Sequence, residues 1–366
     1  MSAAVLIRKS PPLQLRMPQA ALPFPFGSPN THLTRNGRFA IREGLRALGL
    51  AEGAKVLLPA WHCGSEADAV LAAGLQVALY RLRPDLSADL EDVERQLAKG
   101  GAAALYAIHY FGFGQPVAAL QDLARMHGAV LVEDVALGLF SRAEDGVPLG
   151  SQGDMSVFSL VKTLPLPDGG ALWLREPRPQ ALARLRRPPL RPVLAGLKGV
   201  LRRSYAAPVP PAAAPPQKPQ QPGLWQSRAG IAPADMAGRM SALTRLLLRT
   251  ADAGAVIAAH RRNYQLLQAG VPRRAGMRPL MPDLPASACP AYFPLFTPEA
   301  ELVHHRLQAA GIQSVRFWRQ FHPAVDLSAF PDAQELKHCV LRLPVHTGLQ
   351  PADMQRICAV LHQAAG

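Results

Sequence analysis

Gly153-Asp-Met-Ser-Val-Phe-Ser-Leu-Val-Lys-Thr-Leu-Pro-Leu-Pro-Asp-Gly-Gly170 sets a lysine, Lys162, just past an apolar run and closes the following turn with prolines and a Gly-Gly pair. Residues 155–160 predict one strand and residues 171–174 another, so Lys162 falls at a strand end. A lysine held there is partly desolvated, which lowers its pKa and frees the amine to attack a carbonyl. The alternative is a surface lysine that happens to follow a strand, and position alone favours it.

Upstream, Val130-Leu-Val-Glu-Asp-Val-Ala136 ends an apolar strand in two carboxylates. A carboxylate there is costly unless a cation or a hydrogen-bond donor meets it. A helix cap, a metal or the protonated ring nitrogen of a bound group would each meet Asp134. Earlier still, strands are expected at 55–59, 77–80 and 103–109. Helices alternate with them at 65–73, 89–98 and 117–127, three of the stops being Gly74, Gly100-Gly101 and Gly128. The first helix is read from Arg38, where Phe39, Ile41, Leu45, Leu48 and Leu50 recur at helical spacing. Apolar strands alternating with helices predict an α/β fold, a mostly parallel sheet covered on both faces. Ligands gather at the carboxyl ends of such strands. Trp61-His62, His109-Tyr110 and Glu133-Asp134 sit there. Gly37 at the start of the first helix offers backbone N–H groups suited to a phosphate, although glycine before a helix is also a plain cap. Ser159 is placed to add a hydroxyl.

Beyond the second glycine pair the composition changes. Residues 176–230 hold Arg178, Arg184, Arg186, Arg187, Arg191, Lys198, Arg202, Arg203, Lys218 and Arg228 against the single acid Glu176, and Pro208 to Pro222 is nearly all Pro, Ala and Gln. A basic helix or two followed by a polyproline-like linker is expected. Helical order resumes near Asp235 and runs to Leu267. The last hundred residues mix strands (291–296, 340–343) with helices (298–310, 351–364). The resulting division is an N-terminal arm over 1–30, a large domain over 31–175, a basic insertion over 176–234, connecting helices over 235–269 and a small α+β domain over 270–366.

Forty Lys and Arg against 26 Asp and Glu give a net charge of +14, which suggests an anionic partner. No RNA-recognition signature, zinc-finger spacing or basic heptad helix accompanies it, so nucleic acid is not the expected partner. Contact of residues 176–230 with a nucleotide diphosphate or an anionic membrane stays open beside a solvated charged insertion. Cys63, Cys289, Cys339 and Cys358 are scattered and form no CxxC pair, which argues against a zinc site or a disulfide framework, so no metal is expected, and fits a reducing cytoplasm. Neither a leader-like core nor a 20-residue apolar span is read, so a cytoplasmic protein is expected.

The order Gly37-Arg38, then Asp134, then Lys162 carries a resemblance. Gly37-Arg-Phe-Ala-Ile41, Val56-Leu-Leu-Pro-Ala-Trp-His-Cys63, Ile108-His-Tyr-Phe-Gly112, Glu133-Asp134, Phe158-Ser159 with Lys162 and Asp168-Gly-Gly170, and Leu343-Pro-Val-His346 together resemble the DegT/StrS-type pyridoxal-phosphate (PLP) aminotransferases, mainly sugar aminotransferases. The resemblance implies the PLP-dependent transferase fold type I. It also implies a homodimer and the transfer of an amino group, with glutamate as the donor, to a nucleotide-linked keto-sugar in polysaccharide or glycoconjugate biosynthesis. Carried over by position, Lys162 would hold PLP as a Schiff base and then move the proton. Asp134 would face the pyridine nitrogen. Gly37, Arg38 and Ser159 would bind phosphate, and Trp61 would stack on the ring, give or take a residue or two.

Two positions depart from the family pattern. Leu137 stands where Gln or His usually packs on the cofactor, and Ala-Gly rather than Asn precedes Arg239-Met240-Ser241. They leave open a non-catalytic anion-binding protein on the same fold, or a PLP enzyme of another reaction type. Among the remaining candidates, His304-His305 is read as surface and His346 as structural. Arg316-Phe-Trp-Arg319 is read either as anion-binding or as packing.

Overall fold

A computed structural model describes residues 5–14, 20–178, 182, 185, 186, 188, 190–205, 238–274 and 276–365. Its larger sheet has seven strands: β1 (Thr31–Thr34), β2 (Lys55–Pro59), β3 (Gln76–Tyr80), β4 (Ala102–Ile108), β5 (Val130–Asp134), β6 (Met155–Ser159) and β7 (Gly170–Leu174). They lie in the order β1-β7-β6-β5-β4-β2-β3. The five strands from β3 to β6 run parallel, as their apolar runs require, while β7 turns back against β6 and β1 against β7. The helices between strands are α1 (Gly37–Leu48), α2 (Ser65–Ala72), α3 (Leu90–Ala98) and α4 (Val117–Met126). Each has a local reason to start or stop. The Asn36 side chain accepts from Phe39 N at the head of α1, and Gly49, at φ +72°, ends it. Asp89 caps α3 in the same way.

Helix α5 (Leu190–Ser204) falls in the basic stretch and presses on the loop after Lys162: a Cβ at Gly196 would lie 2.6 Å from the Pro167 carbonyl oxygen. The Pro-rich run 208–222 lies outside the described residues. The helix expected over 235–267 is two, α6 (Ala242–Leu248) and α7 (Ala253–Gly270). They are separated because the Asp252 carboxylate caps Ala255 N and opens a new helix. A second sheet of four antiparallel strands follows, in the order β10 (Val315–Arg316), β11 (Val340–Pro344), β9 (Tyr292–Phe296), β8 (Arg278–Pro279). It packs with α8 (Ala300–Ala309), α9 (Pro331–Cys339) and α10 (Pro351–Ala365). One hydrophobic core runs through both sheets, from Ala40, Val56 and Trp61 to Leu295, Leu341 and Ile357. The N-terminal arm packs on the second sheet region, where Ile7 bridges Ile312 and the Arg8 carbonyl meets His346 Nε2 at 2.9 Å.

That last contact bears on acid stability. Burial pushes both His260 and His346 down to about 4 from an ordinary value of 6.5, against the smaller opposing effect of their carbonyl partners Pro290 and Arg8. Both rings stay neutral in the fold while the unfolded chain takes up protons below pH 6.5. Their contribution is therefore whole above that pH and drains away as pH falls toward 4, at up to about 1.4 kcal/mol per pH unit for each ring. The urea midpoint should fall steadily from pH 7 to pH 5. A His260→Gln/His346→Gln protein whose midpoint falls as steeply as the wild type would show that other groups set the slope.

Candidate active site

Two adjacent strands and one helix start converge. β5 and β6 are paired through Asp134 and Val157, so Asp134 and Ser159 end neighbouring strands. Ser159 sits opposite Gly170 on β7, which sits opposite Thr34 on β1. Three-residue helical turn Leu160–Lys162 follows Ser159 directly. The long loop that carries Lys162 is closed at its neck by Leu160 N donating to Gly169 O at 3.1 Å, and Gly169 N then donates to Arg35 O at 2.7 Å. The lysine loop is thereby tied to the residue that precedes the cap of α1. A Cβ at Gly37 would stand 3.6 Å from that of Ser159. Farther along the loop, the Asp168 carboxylate accepts from the Ser241 N–H and hydroxyl at the head of α6.

Asp134 is held rigidly. Its Oδ2 accepts from the buried Tyr106 hydroxyl at 2.7 Å and its Oδ1 from Ala136 N at 2.8 Å. Glu133 points the other way, into a network of its own. It meets His109 Nε2 at 2.9 Å and accepts from the N–H groups of Gly150, Gln152 and Gly153. These partners outweigh its burial and hold its pKa below the usual carboxylate range.

On the far side of the site, α2 supplies groups that sequence reading passed over. Glu66 is buried, and its oxygens accept from the Cys63 thiol at 3.0 and 3.3 Å. Burial first, and Asp134 second, push the Glu66 carboxyl upward, while Lys162 pulls it down. Burial and Glu66 push the Cys63 thiol up to about 12, again opposed by Lys162. Asp134 and Lys162 thus both act on the Glu66 carboxyl, and Lys162 acts on the Cys63 thiol. Arg38 reaches the same helix, donating to Ser65 Oγ at 3.3 Å and lying 3.8 Å from the Asp68 carboxylate.

Residues 26–191 match the DegT/DnrJ/EryC1/StrS aminotransferase family. The chain is 30% identical over 138 residues to GDP-perosamine synthase of Vibrio cholerae. It is also 30% identical over 145 residues to dTDP-4-dehydro-2,3,6-trideoxy-D-glucose 4-aminotransferase of Saccharopolyspora spinosa. Each match spans 37% of the curated relative's length. Among solved structures, DesV of S. venezuelae superposes over 92% of this chain and 85% of its own, with a TM-score of 0.66 at 19% identity. Helicobacter pylori PseC, an aminotransferase of pseudoaminic acid biosynthesis, superposes over 92% and 86%, with a TM-score of 0.63 at 14% identity. The chain has the fold of these aminotransferases, type I of the PLP-dependent transferases.

Seen within the family segment, the quoted motifs do not all meet. Gly37, Ser159 and the lysine loop are brought together, and Asp134 ends the next strand. Trp61 is fully enclosed: its ring stacks on Tyr110 at 5.3 Å and lies against Phe317 and Trp318, and the Tyr110 hydroxyl donates to its carbonyl. Cys63, two residues on, lies within the electrostatic reach of Lys162, as does Glu66. Leu137 is buried in the main core, its carbonyl accepting from Ala291 N at 3.0 Å. Arg316 forms an ion pair with Glu301 at 2.7 Å while Phe317 and Trp318 pack on Trp61, so this segment packs. His304 is not simply surface: it is half-buried and meets Ser314 Oγ at 2.8 Å.

Proposed function

We propose that this chain is a PLP-dependent aminotransferase acting on a nucleotide-linked keto-sugar, with an amino acid, glutamate first, as donor. The observation that supports the reading is the closed neck Leu160–Gly169–Arg35, which ties the lysine loop to the start of α1, with Asp134 ending the strand next to the one that leads into Lys162. That donor set fits the cofactor: one amine, one carboxylate already oriented by two donors, and a helix N-terminus suited to phosphate. Burial first, and Asp134 second, push the Glu66 carboxyl upward, toward its neutral form.

PLP, when bound, supplies an electron sink that lets a proton leave the carbon next to the substrate nitrogen. Lys162 would hold the cofactor through its amine and, once released, carry that proton. Asp134, fixed by Tyr106 and Ala136, would accept from the ring nitrogen and keep it protonated. Gly37, Arg38 and Ser159 would hold the phosphate. Trp61 would shape the ring's wall from behind, through the turn that bears Cys63. A homodimer working in the cytoplasm is the proposed setting; no helix among the described residues is long and apolar enough to cross a membrane.

The test is the absorbance spectrum of the purified protein loaded with PLP, before and after glutamate. A band near the visible edge that shifts with glutamate supports both cofactor and donor. No band removes the enzyme reading and favours an anion-binding protein on this fold. With the band established, GDP- and dTDP-linked keto-sugars offered to the aminated form should reverse the shift.

A further inference from the structure

Lys337, on α9, is the buried ammonium that the proposed chemistry leaves unused. It is 2% exposed, and its three N–H bonds go to three backbone carbonyls: His62 O at 2.9 Å, Trp318 O at 3.0 Å and Gln320 O at 3.0 Å. No carboxylate forms an ion pair with it among the described residues. Burying a cation this way is expensive, and an apolar side chain would fill the space at lower cost. What the ammonium achieves is a three-way junction between segments far apart in the chain. One is the turn after β2; the other is the 318–320 segment, where Trp318 takes the left-handed conformation at φ +53°.

The turn it holds is the one whose next residues matter. Cys63 and Glu66 follow His62 and share their electrostatics with Lys162 and Asp134, and Ser65 and Asp68 engage Arg38. A second brace runs parallel to the first: His322 Nε2 lies 3.2 Å from the Asp68 carboxylate. We propose that Lys337 is a positioning residue for the cofactor pocket, its ammonium clamping the His62–Glu66 turn to the Trp318–Gln320 segment so that the second sheet region holds one wall of the site. The clamp's bearing on PLP rests on the function proposed above; its hold on the turn does not.

Cysteine labelling reads the clamp directly. Iodoacetamide is applied to wild type and Lys337→Met at neutral pH, at a temperature where circular dichroism shows both folded. Alkylation is followed for each cysteine peptide by mass spectrometry. The expected result is Cys63 reacting at least about tenfold faster in the variant, with Cys289, Cys339 and Cys358 unchanged. A general loosening would raise all four together and overturn the proposal, as would no change at Cys63. Should the methionine variant fail to fold, Lys337→Gln, which keeps an amide donor in the same cavity, should label Cys63 faster than wild type does; a rate equal to wild type would count against the clamp.

A companion measurement is the PLP concentration needed to restore the visible band after dialysis. It should rise about tenfold or more in the variant. Faster Cys63 labelling with unchanged PLP retention would show that the clamp exists but does not serve the cofactor. Absence of a band in wild type would instead count against the function reading and leave the labelling result standing.

Discussion

Lys162→Ala should lose the glutamate-responsive absorbance band and lower amino transfer by at least about 10³-fold, because one change removes both the nucleophile that holds the cofactor and the base that moves the proton. The fold should survive it. Lys162 is half-exposed in a loop whose neck is closed by Leu160 and Gly169, so the side chain carries little of the loop's order. Thermal unfolding should therefore stay close to wild type while the band disappears. A variant that keeps both band and turnover would take Lys162 out of the chemistry.

Gly170→Ala should be the most damaging single methyl addition near the site. A Cβ there would meet backbone on the opposite side: the Asn36 carbonyl carbon, the Asn36 oxygen at 2.6 Å and Gly37 N at 2.7 Å. None of these can swing away as a side-chain tip can. Relief requires β7 to part from the cap of α1, costing about 1–3 kcal/mol as overpacking usually does, and it disturbs the very N–H groups proposed for the phosphate. Gly44→Ala is the control. Its Cβ would also be crowded, but by the ends of Met155 and Leu172, at 2.6 Å from the Met155 sulfur and 2.7 Å from Leu172 Cδ1. The flexible thioether can repack. Denaturant midpoints and PLP retention should both fall in Gly170→Ala, while Gly44→Ala should lose stability alone. Equal PLP retention in the two variants would detach the α1 start from cofactor binding.

What could be read in advance follows from where burial leaves a mark on the sequence. β2 and β7 are near-continuous apolar runs with a proline or glycine at one end, β5 is apolar up to its two carboxylates and β6 mixes apolar residues with serine, and the structure places all four within a residue or so of the expected spans. Asp134 and Lys162 stood out because charged residues at the ends of buried strands need a reason. β1 did not stand out: Thr-His-Leu-Thr holds a single apolar residue and becomes a strand because β7 offers it an edge. α9 was missed for a related reason. Pro-Asp-Ala-Gln-Glu-Leu-Lys-His-Cys reads as polar, and its buried Lys337 runs against the habit of lysine to face water. Glu66 shares that difficulty. Neither the carboxyl nor the ammonium declares itself until the fold brings Asp134 to the one and three carbonyls to the other. Trp61 shows the opposite limit. Its aromatic character was plain, but the direction of its ring was decided by Phe317 and Trp318, which come from the far end of the chain.

The pairing of β1 with β7 also bears on how the protein is made. On a ribosome, β1 emerges before every other strand of the large sheet, yet its hydrogen-bonding neighbour is the last of the seven to appear. Arg35, just after it, waits longer still for Gly238, to whose carbonyl its N–H donates at 2.8 Å. A nascent chain halted before β7 therefore exposes an unpaired strand edge and a helix start with no loop to meet it, the kind of intermediate that chaperones recognise and that aggregates when they are scarce. The sheet closes late because its first strand must wait for its last, and a truncated gene product should be found in inclusion bodies rather than as a folded half.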